Sequence, residues 1–409
     1  MRWQNLSTLV ILSLTLFGIA VGRFPVLRMN RATIVIVGTA LLVFSGALSP
    51  DQAWNAIDYR TILLIFSMMI LNINLGLAGF FKAVTLKVTH WARTPGQLLG
   101  LVIVTSGLLS AFFLNDTVVL MMTPLVIEIC RHMNRDPVPY LIGLAASANI
   151  GSAATMIGNP QNMLIGVTSG IPFFTFFTRL APVSVAGMMI IWIILKFLYP
   201  CELKKERLQS AVDLKFRIYR PLLHKCLIAI GLLLAALFAG LSIVLAAFGA
   251  ASFLLVTRRL KPRRVFHEID WSLLVFFSGL FIITRCMENT GVGMKLVKSI
   301  GDIAHSSVLC LTVVSTLLSN VISNVPAVIL MRPGIASLAN PDRAWIVLAM
   351  ATTLAGNLTL LGSVANLIVA ESAEKRGVRL TFNAYLKAGI PITLLSLAAG
   401  VLWILIIRI

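Results

Sequence analysis

Asn149-Ile150-Gly151-Ser152-Ala153-Ala154-Thr155-Met156-Ile157-Gly158-Asn159-Pro160-Gln161-Asn162 lies in the middle of an apolar run over 138–168. Roughly twenty apolar residues span a bilayer as helix, so the run is long enough to cross. Yet Gly151, Gly158, Pro160 and a cluster of side-chain amides sit at its centre. The hydrocarbon core tolerates irregular backbone only where protein or a water-filled cavity covers it. The stretch reads as a broken transmembrane helix enclosed by the rest of its chain.

The pattern occurs twice. Thr155, Gly158 and Asn162 align on Thr359, Gly362 and Asn366 in a second apolar run, 343–370. Upstream, Leu108-Leu109-Ser110, Asn115, Val119, Met122 and Pro124 align without a gap on Leu317-Leu318-Ser319, Asn324, Val328, Met331 and Pro333. Further upstream, Ala56-Ile57-Asp58-Tyr59 matches Glu268-Ile269-Asp270-Trp271. The amphipathic stretch from Gly79-Phe80-Phe81-Lys82 to Lys87 matches Gly291-Val292-Gly293-Met294-Lys295 to Lys298. The four matches keep their order at offsets of about 204–212 residues. Any one match between apolar segments is weak; four in register are not.

Composition sets the environment. Hydrophobic residues are 58% of the 409, charged residues 12%, and mean hydropathy is +0.94. A soluble domain carries about twice that charge, so a polytopic membrane protein of about ten to twelve passes is expected. The long unbroken apolar runs exclude the weak alternation of an outer-membrane barrel. Candidate spans are 6–22, 33–48, 61–79, 138–168, 173–198, 222–240, 242–257, 271–286, 343–370 and 384–407. The first shows no small-x-small cleavage site and reads as a retained span. The chain holds 34 Lys+Arg against 15 Asp+Glu, a formal +19. These basic residues cluster in short loops, the positive-inside pattern rather than a nucleic-acid surface. All basic loops fall on one side only if 97–131 enters and leaves from the cytoplasmic face, as a re-entrant hairpin or two full passes. By the same parity 305–340 begins and ends on the outer face. Five crossings lie between these two segments, so the second copy is expected upside down, the inverted-repeat plan of secondary transporters.

Repeat 1 is read as 1–198, with hairpin 97–131 and broken helix 138–168. A cytoplasmic linker, 199–221, leads to repeat 2 over 222–409, with hairpin 305–340 and broken helix 343–370. Four places look irregular: 113–117, 149–162, Ser319 to Pro326, and Gly356-Asn357-Leu358-Thr359 running on to Gly362-Ser363-Val364-Ala365-Asn366. Broken helix ends expose carbonyls to a cation and positive N-termini to an anion. Asp116 stands out, because an intramembrane carboxylate costs several kcal/mol unless paired, protonated or ion-bound. It reads as the ion or proton coupling group, or else as a structural carboxyl bonded to hairpin backbone. Its partner in the second copy is Val325, so the half-sites are not equivalent. Glu128 reads as snorkelling beside Arg131. Arg332 reads as snorkelling outward or pairing with a carboxyl, with anion binding as the alternative. Asn72 and Asn74 read as helix–helix hydrogen-bonding groups, and His305 as interfacial. The five scattered cysteines, Cys130, Cys201, Cys226, Cys286 and Cys310, have no metal-ligand spacing and read as packing residues. No phosphate-binding G-x-x-x-x-G-K-[ST] or H-E-x-x-H occurs, so neither a nucleotide nor a resident metal is expected, and an enzyme is not.

These motifs resemble the ion transporter superfamily. Phe112-Phe113-Leu114-Asn115-Asp116-Thr117 with Pro124, and Ser323-Asn324-Val325 with Pro333, resemble the two Ser-Asn-Thr hairpins of divalent-anion/sodium symporters. Asn149 to Asn162 looks like the N-I-G-x-x-x-T-x-I-G-x-P-x-N stretch shared with arsenite permeases and citrate–metal carriers. The resemblance implies an all-α fold of scaffold and transport domains, an elevator movement and a homodimer. It implies sodium at Asn115 with Gly151, Gly158 and Pro160, and at Asn324 with Gly356 and Gly362. Leu114, Asp116 and Val325 depart from the symporter motif, and Asn-Asp at the first tip is closer to the arsenite-permease branch, where proton coupling is implied. The expected coupling set adds Asp116 and Asn149. The expected substrate set is Thr117, Asn159, Asn162, Ser323, Asn324, Asn357, Thr359, Ser363 and Asn366. The expectation is a secondary transporter of a small inorganic or organic anion in a bacterial inner membrane, coupled to Na+ or H+ with no other cofactor. A sodium/proton antiporter without an anion site is the alternative, with a channel ranked below it.

Overall fold

A computed structural model describes residues 2–21, 23–24, 29–204, 218–256, 262–290, 307–336, 338 and 340–407. The second amphipathic stretch (291–298), His305 and most of the linker lie outside the described residues. The described chain is almost wholly helical. Its first group is α1 (Arg2–Val21), α2 (Arg31–Phe44), α3 (Pro50–Ala56), α4 (Tyr59–Ala78) and α5 (Phe80–Thr89). Then come α6 (Pro95–Phe112), α7 (Asn115–His132), α8 (Pro137–Ser152), α9 (Pro160–Ser169) and α10 (Phe173–Leu198). The second half holds α11 (Arg220–Phe238), α12 (Ile243–Leu255), α13 (Pro262–His267) and α14 (Trp271–Asn289). It closes with α15 (Val308–Ile322), α16 (Asn324–Ala336), α17 (Pro341–Ala355), α18 (Val364–Glu374) and α19 (Phe382–Ile406).

Six of these helices are long and apolar enough to cross a membrane: α4, α6, α10, α11, α14 and α19. Large apolar side chains stand on the outside of the bundle. Leu14, Phe197, Leu245 and Leu402 are each more than half exposed. A surface of this kind suits lipid, not water. The protein is an all-helical, multi-pass integral membrane protein.

The local signals explain where helices start. Asp58 and Asp270, the aspartates of the first matched motif, each cap the helix that follows. Asp58 accepts from the Thr61 amide at 3.2 Å and Asp270 from the Leu273 amide at 3.1 Å. Proline at the first helical position opens α6, α8, α9 and α17, where its missing N–H removes no bond. Gly79 turns the chain from α4 into α5 with φ +81°, a conformation open to glycine at no steric cost.

Corresponding helices pack alike in the two halves. α6 lies on α8, and α15 on α17; α2 packs on α14, and α4 on α12. α8 is buried along its length from Pro139 to Ser152, as is α17 from Ala344 to Ala355. Small residues let α6 and α8 approach. Ser106 Oγ and Ser147 Oγ are 2.5 Å apart, and Gly107 meets Gly151 backbone to backbone. Close backbone contact through small residues is the usual basis of helix association in lipid.

Both hairpins are tighter than their sequences suggest. The first turn is only Phe113–Leu114, and Asn115, Asp116 and Thr117 already belong to α7. The second is a single residue, Ser323, with φ +80°; Ser319 and Asn320 are helical, and so is Pro326. The packing reading of the cysteines holds for the buried Cys130, Cys226 and Cys286. It fails for Cys201, which is exposed in the turn after α10.

Gly151 gives a direct test of the α6–α8 contact. A Cβ there would collide with the Gly107 carbonyl oxygen, whereas one on Gly231 in α11 would meet nothing within 4 Å. Gly151→Ala should lower stability by about 1–3 kcal/mol, the range for overpacking a core. Gly231→Ala should be neutral or slightly stabilising. Thermal unfolding of the two purified variants in detergent reads the difference.

Candidate functional site

Each broken helix stops at a stretch of non-helical backbone. Residues 153–159 separate α8 from α9, and 356–363, with a 3-10 turn at Leu360–Gly362, separate α17 from α18. Buried backbone groups at such breaks need partners. In both halves one asparagine supplies them. Asn162 Nδ2 donates to the carbonyls of Ser152 at 3.2 Å and Thr155 at 3.0 Å. Asn366 Nδ2 donates to those of Gly356 at 2.8 Å and Thr359 at 3.1 Å. Asn159 then caps α9 through the Asn162 amide at 2.9 Å, and Ser363 caps α18 through the Ala365 amide at 3.2 Å.

The two breaks also clasp each other, and the clasp is reciprocal. Asn149 of the first half donates to Asn366 Oδ1 of the second at 3.0 Å. Its counterpart Thr353 donates from Oγ1 to Asn162 Oδ1 of the first half at 3.4 Å. Ser363 Oγ donates to Asn149 Oδ1 at 3.0 Å, and its counterpart Asn159 donates to Thr353 Oγ1 at 3.4 Å. Every one of these residues is buried. The residue pairs 149/353, 159/363 and 162/366 keep one constant offset, so the sequence repeat has a structural expression at the centre of the molecule.

Each hairpin tip leans on the break of its own half. The Asn115 amide donates to the Gly158 carbonyl at 3.0 Å, and Asn115 Nδ2 to Asn149 Oδ1 at 3.2 Å. Gly158 admits no side chain, since a Cβ would lie 2.5 Å from the Ser152 oxygen and 2.6 Å from that of Ser110. A Cβ on Gly356 would stand 3.4 Å from Asn324 Nδ2.

Here the halves differ. In the second, Ser319 Oγ donates to Asn324 Oδ1 at 2.6 Å. In the first, the equivalent atoms, Ser110 Oγ and Asn115 Oδ1, are both buried and have no protein partner. A buried polar atom without a partner costs about 1–3 kcal/mol. Two such oxygens beside a hairpin tip are donors suited to a hard cation. Asp116 is half-buried in the first turn of α7, next to Asn115. A carboxylate there is favoured by the helix N-terminus.

The structure thus brings together Asn115, Asn149, Gly158, Asn159, Asn162, Gly356, Asn357, Ser363 and Asn366, with the Thr359 carbonyl. Gly151 fits the α6–α8 contact, Pro160 opens α9, and Gly362 ends the 3-10 turn. Thr117 lies in the first turn of α7, and Ser323 forms the second tip. Arg332 stays apart and pairs with Asp58 at 3.6 Å. Asn74 donates to Ile70 within α4 at 2.8 Å, so it does not bond another helix as its sequence suggested. Asn72 is buried with neither amide atom paired. Glu128 is exposed. Ser110, Ser152, Gln161 and Thr353 join the site without having been singled out. Ser110 is signalled by its alignment on Ser319, and Ser152 and Gln161 by lying within the irregular stretch 149–162; Thr353 has no signal.

Residues 14–355 match the family model described as citrate transporter. The silicon efflux transporter LSI3 of Oryza sativa subsp. japonica is 32% identical, covering 92% of this chain and 93% of its own. The inner membrane protein YbiR of Escherichia coli is 31% identical, covering 91% and 95%. The putative transporter arsB of Dictyostelium discoideum is 27% identical, covering 92% and 87%. The crystal structure of the Alcanivorax borkumensis YdaH transporter superposes with TM-score 0.60 at 14% identity, covering 99% of this chain and 98% of its own. At that identity the likeness speaks for the fold alone.

Removing either serine separates the two tips. Ser319→Ala leaves Asn324 Oδ1 without its donor and should cost about 1–3 kcal/mol. Ser110→Ala removes a hydroxyl that has no partner and should cost less than 1 kcal/mol in sodium-free buffer. Parallel thermal melts check the ranking.

Proposed function

The chain belongs to the citrate transporter family, and from that premise we propose that it carries a small inorganic or organic anion across the membrane, coupled to a cation at the first hairpin tip. It is a transporter and not an enzyme. The observation that carries the coupling is the pair of buried, unpartnered oxygens, Ser110 Oγ and Asn115 Oδ1. A sodium ion would draw on these oxygens and neighbouring carbonyls. A proton would instead be carried by the adjacent Asp116 carboxyl.

Among the described residues no charged side chain belongs to the hydrogen-bonded network, and Arg332 is engaged with Asp58. The anion's charge would then be met by the N-termini of α7, α9, α16 and α18 and by the coupling cation. Alternating access is proposed to move the two hairpins and two broken helices as one block past α2, α4, α12 and α14, with repeats over 1–198 and 222–409. The reciprocal clasp supports a block that travels whole. A homodimer in a bacterial inner membrane is the proposed setting, the Escherichia coli relative YbiR being an inner membrane protein.

The test is thermal stability of the purified protein in detergent. Sodium, lithium and pH are titrated, each with and without citrate, succinate, phosphate, sulfate, arsenite or silicate. A ligand at 100 times its dissociation constant adds about 2.7 kcal/mol. An anion whose effect depends on sodium or pH is expected, with the pH dependence lost in Asp116→Asn. If sodium or pH alone shifts the melt and no anion adds to it, the sodium/proton antiporter replaces this reading.

A further inference from the structure

Asn149 is the one residue of the clasp that also touches a hairpin tip. Its amide uses its full bonding capacity. Nδ2 donates to Asn357 Oδ1 at 2.8 Å and to Asn366 Oδ1 at 3.0 Å. Oδ1 accepts from Asn115 Nδ2 at 3.2 Å and from Ser363 Oγ at 3.0 Å. One side chain therefore joins the first tip to three residues of the second break. It is 2% exposed, so water does not compete for these bonds. Its counterpart Thr353 has no such reach. Thr353 Oγ1 meets Asn159, Gln161 and Asn162, all of the first broken helix, and neither hairpin tip.

The arrangement fixes what a change at the tip must do. Asn115 presents Oδ1 to the unpartnered position and Nδ2 to Asn149, on opposite sides of one planar amide. Turning that amide to suit a cation moves the donor that Asn149 accepts. Asn149 cannot turn without breaking its bonds to Asn357 and Asn366. We propose that Asn149 is a positioning residue that transmits cation occupancy at the first hairpin tip to the second broken helix, so that the two half-sites fill cooperatively. This rests on the reading of the first tip as the cation site. By linkage, whatever binds at 356–366 reports back to the tip by the same factor.

The experiment is amide hydrogen exchange on the full-length protein, with sodium chloride and then pH as the only probes. In the wild type, sodium, or acid once the intrinsic slowing of amide exchange at lower pH is divided out, should slow exchange at 110–117 and, by about tenfold, at 356–366. Asn149→Thr, the side chain found at the equivalent position, should keep the slowing at 110–117 and lose it at 356–366. Thr353→Val cuts the other arm of the clasp without touching a tip, and should keep both. A merely structural brace would make the two variants behave alike, and that result overturns the proposal. So does slowing at 356–366 that survives in Asn149→Thr. No response at 110–117 to either probe sinks the cation reading itself, and the proposal with it. If Asn149→Thr does not fold, Ser363→Gly cuts a link from the other side. Glycine replaces a cap at little cost, and since the Asn149 bonds to Asn357 and Asn366 remain, a partial loss of the sodium response across 356–362 is then expected.

Discussion

Two breaks in buried helices set the terms for the rest of this molecule. A helix that stops inside a membrane protein leaves carbonyls and amides that lipid cannot satisfy. Asn162 and Asn366 each answer this with one amide group that bridges two carbonyls of the break. Their remaining oxygens are then free to accept from the opposite half, from Thr353 and Asn149. The repair of each break is thus also the bond that holds the two halves together. The close α6–α8 packing, the glycines at 151 and 158 and the capping residues 159 and 363 all serve to bring those groups within reach.

The symmetry is strict where backbone must be satisfied and relaxed where a ligand could bind. Positions 162 and 366 are both asparagine, and 158 and 362 both glycine, because the geometry of the break admits little else. Positions 149 and 353 both donate to the partner asparagine, a task Asn and Thr share, but only Asn149 also bonds a hairpin tip. At the tips the two halves part. Ser319 and Asn324 satisfy each other, whereas Ser110 and Asn115 leave an oxygen apiece unanswered. The copies differ as well at Asp116 against Val325 and at Asn149 against Thr353, so the two tips are not equivalent.

Much of this was legible in the sequence. The apolar runs located most helices to within a few residues, because hydrophobic length and proline or aspartate starts are local signals. The four matched motifs exposed the repeat, and the Ile-Asp-aromatic motif proves to be a pair of helix caps. What the sequence could not show is orientation. Ser110 and Ser319 are the same residue in the same motif, yet only one bonds its neighbouring asparagine. The two tips also turn differently, over Phe113–Leu114 in one and at Ser323 alone in the other. Asn72 and Asn74 read alike, yet Asn74 bonds the Ile70 carbonyl within α4 and the Asn72 side chain bonds nothing among the described residues. Thr353 was overlooked because its role lies wholly in the other half of the chain.

The placement of charge follows from the same constraint. A buried ion pair in a low-dielectric interior must recover the desolvation of both partners. A network of neutral amides and hydroxyls escapes that cost and still offers oxygens to a cation and N–H groups to an anion. Arg332 and Asp58 form their pair where the arginine side chain is 41% exposed, at the cap of α4. A pair so exposed adds little stability. It does join the second hairpin to a helix outside the clasp, so any passage of the hairpins past α4 has to break it. Weak pairing there is compatible with movement, whereas the same arginine inside the clasp would tie the block to a fixed charge. A neutral centre and weak ionic contacts at the boundary are what the proposed movement of an ion and its counter-ion in one block would require.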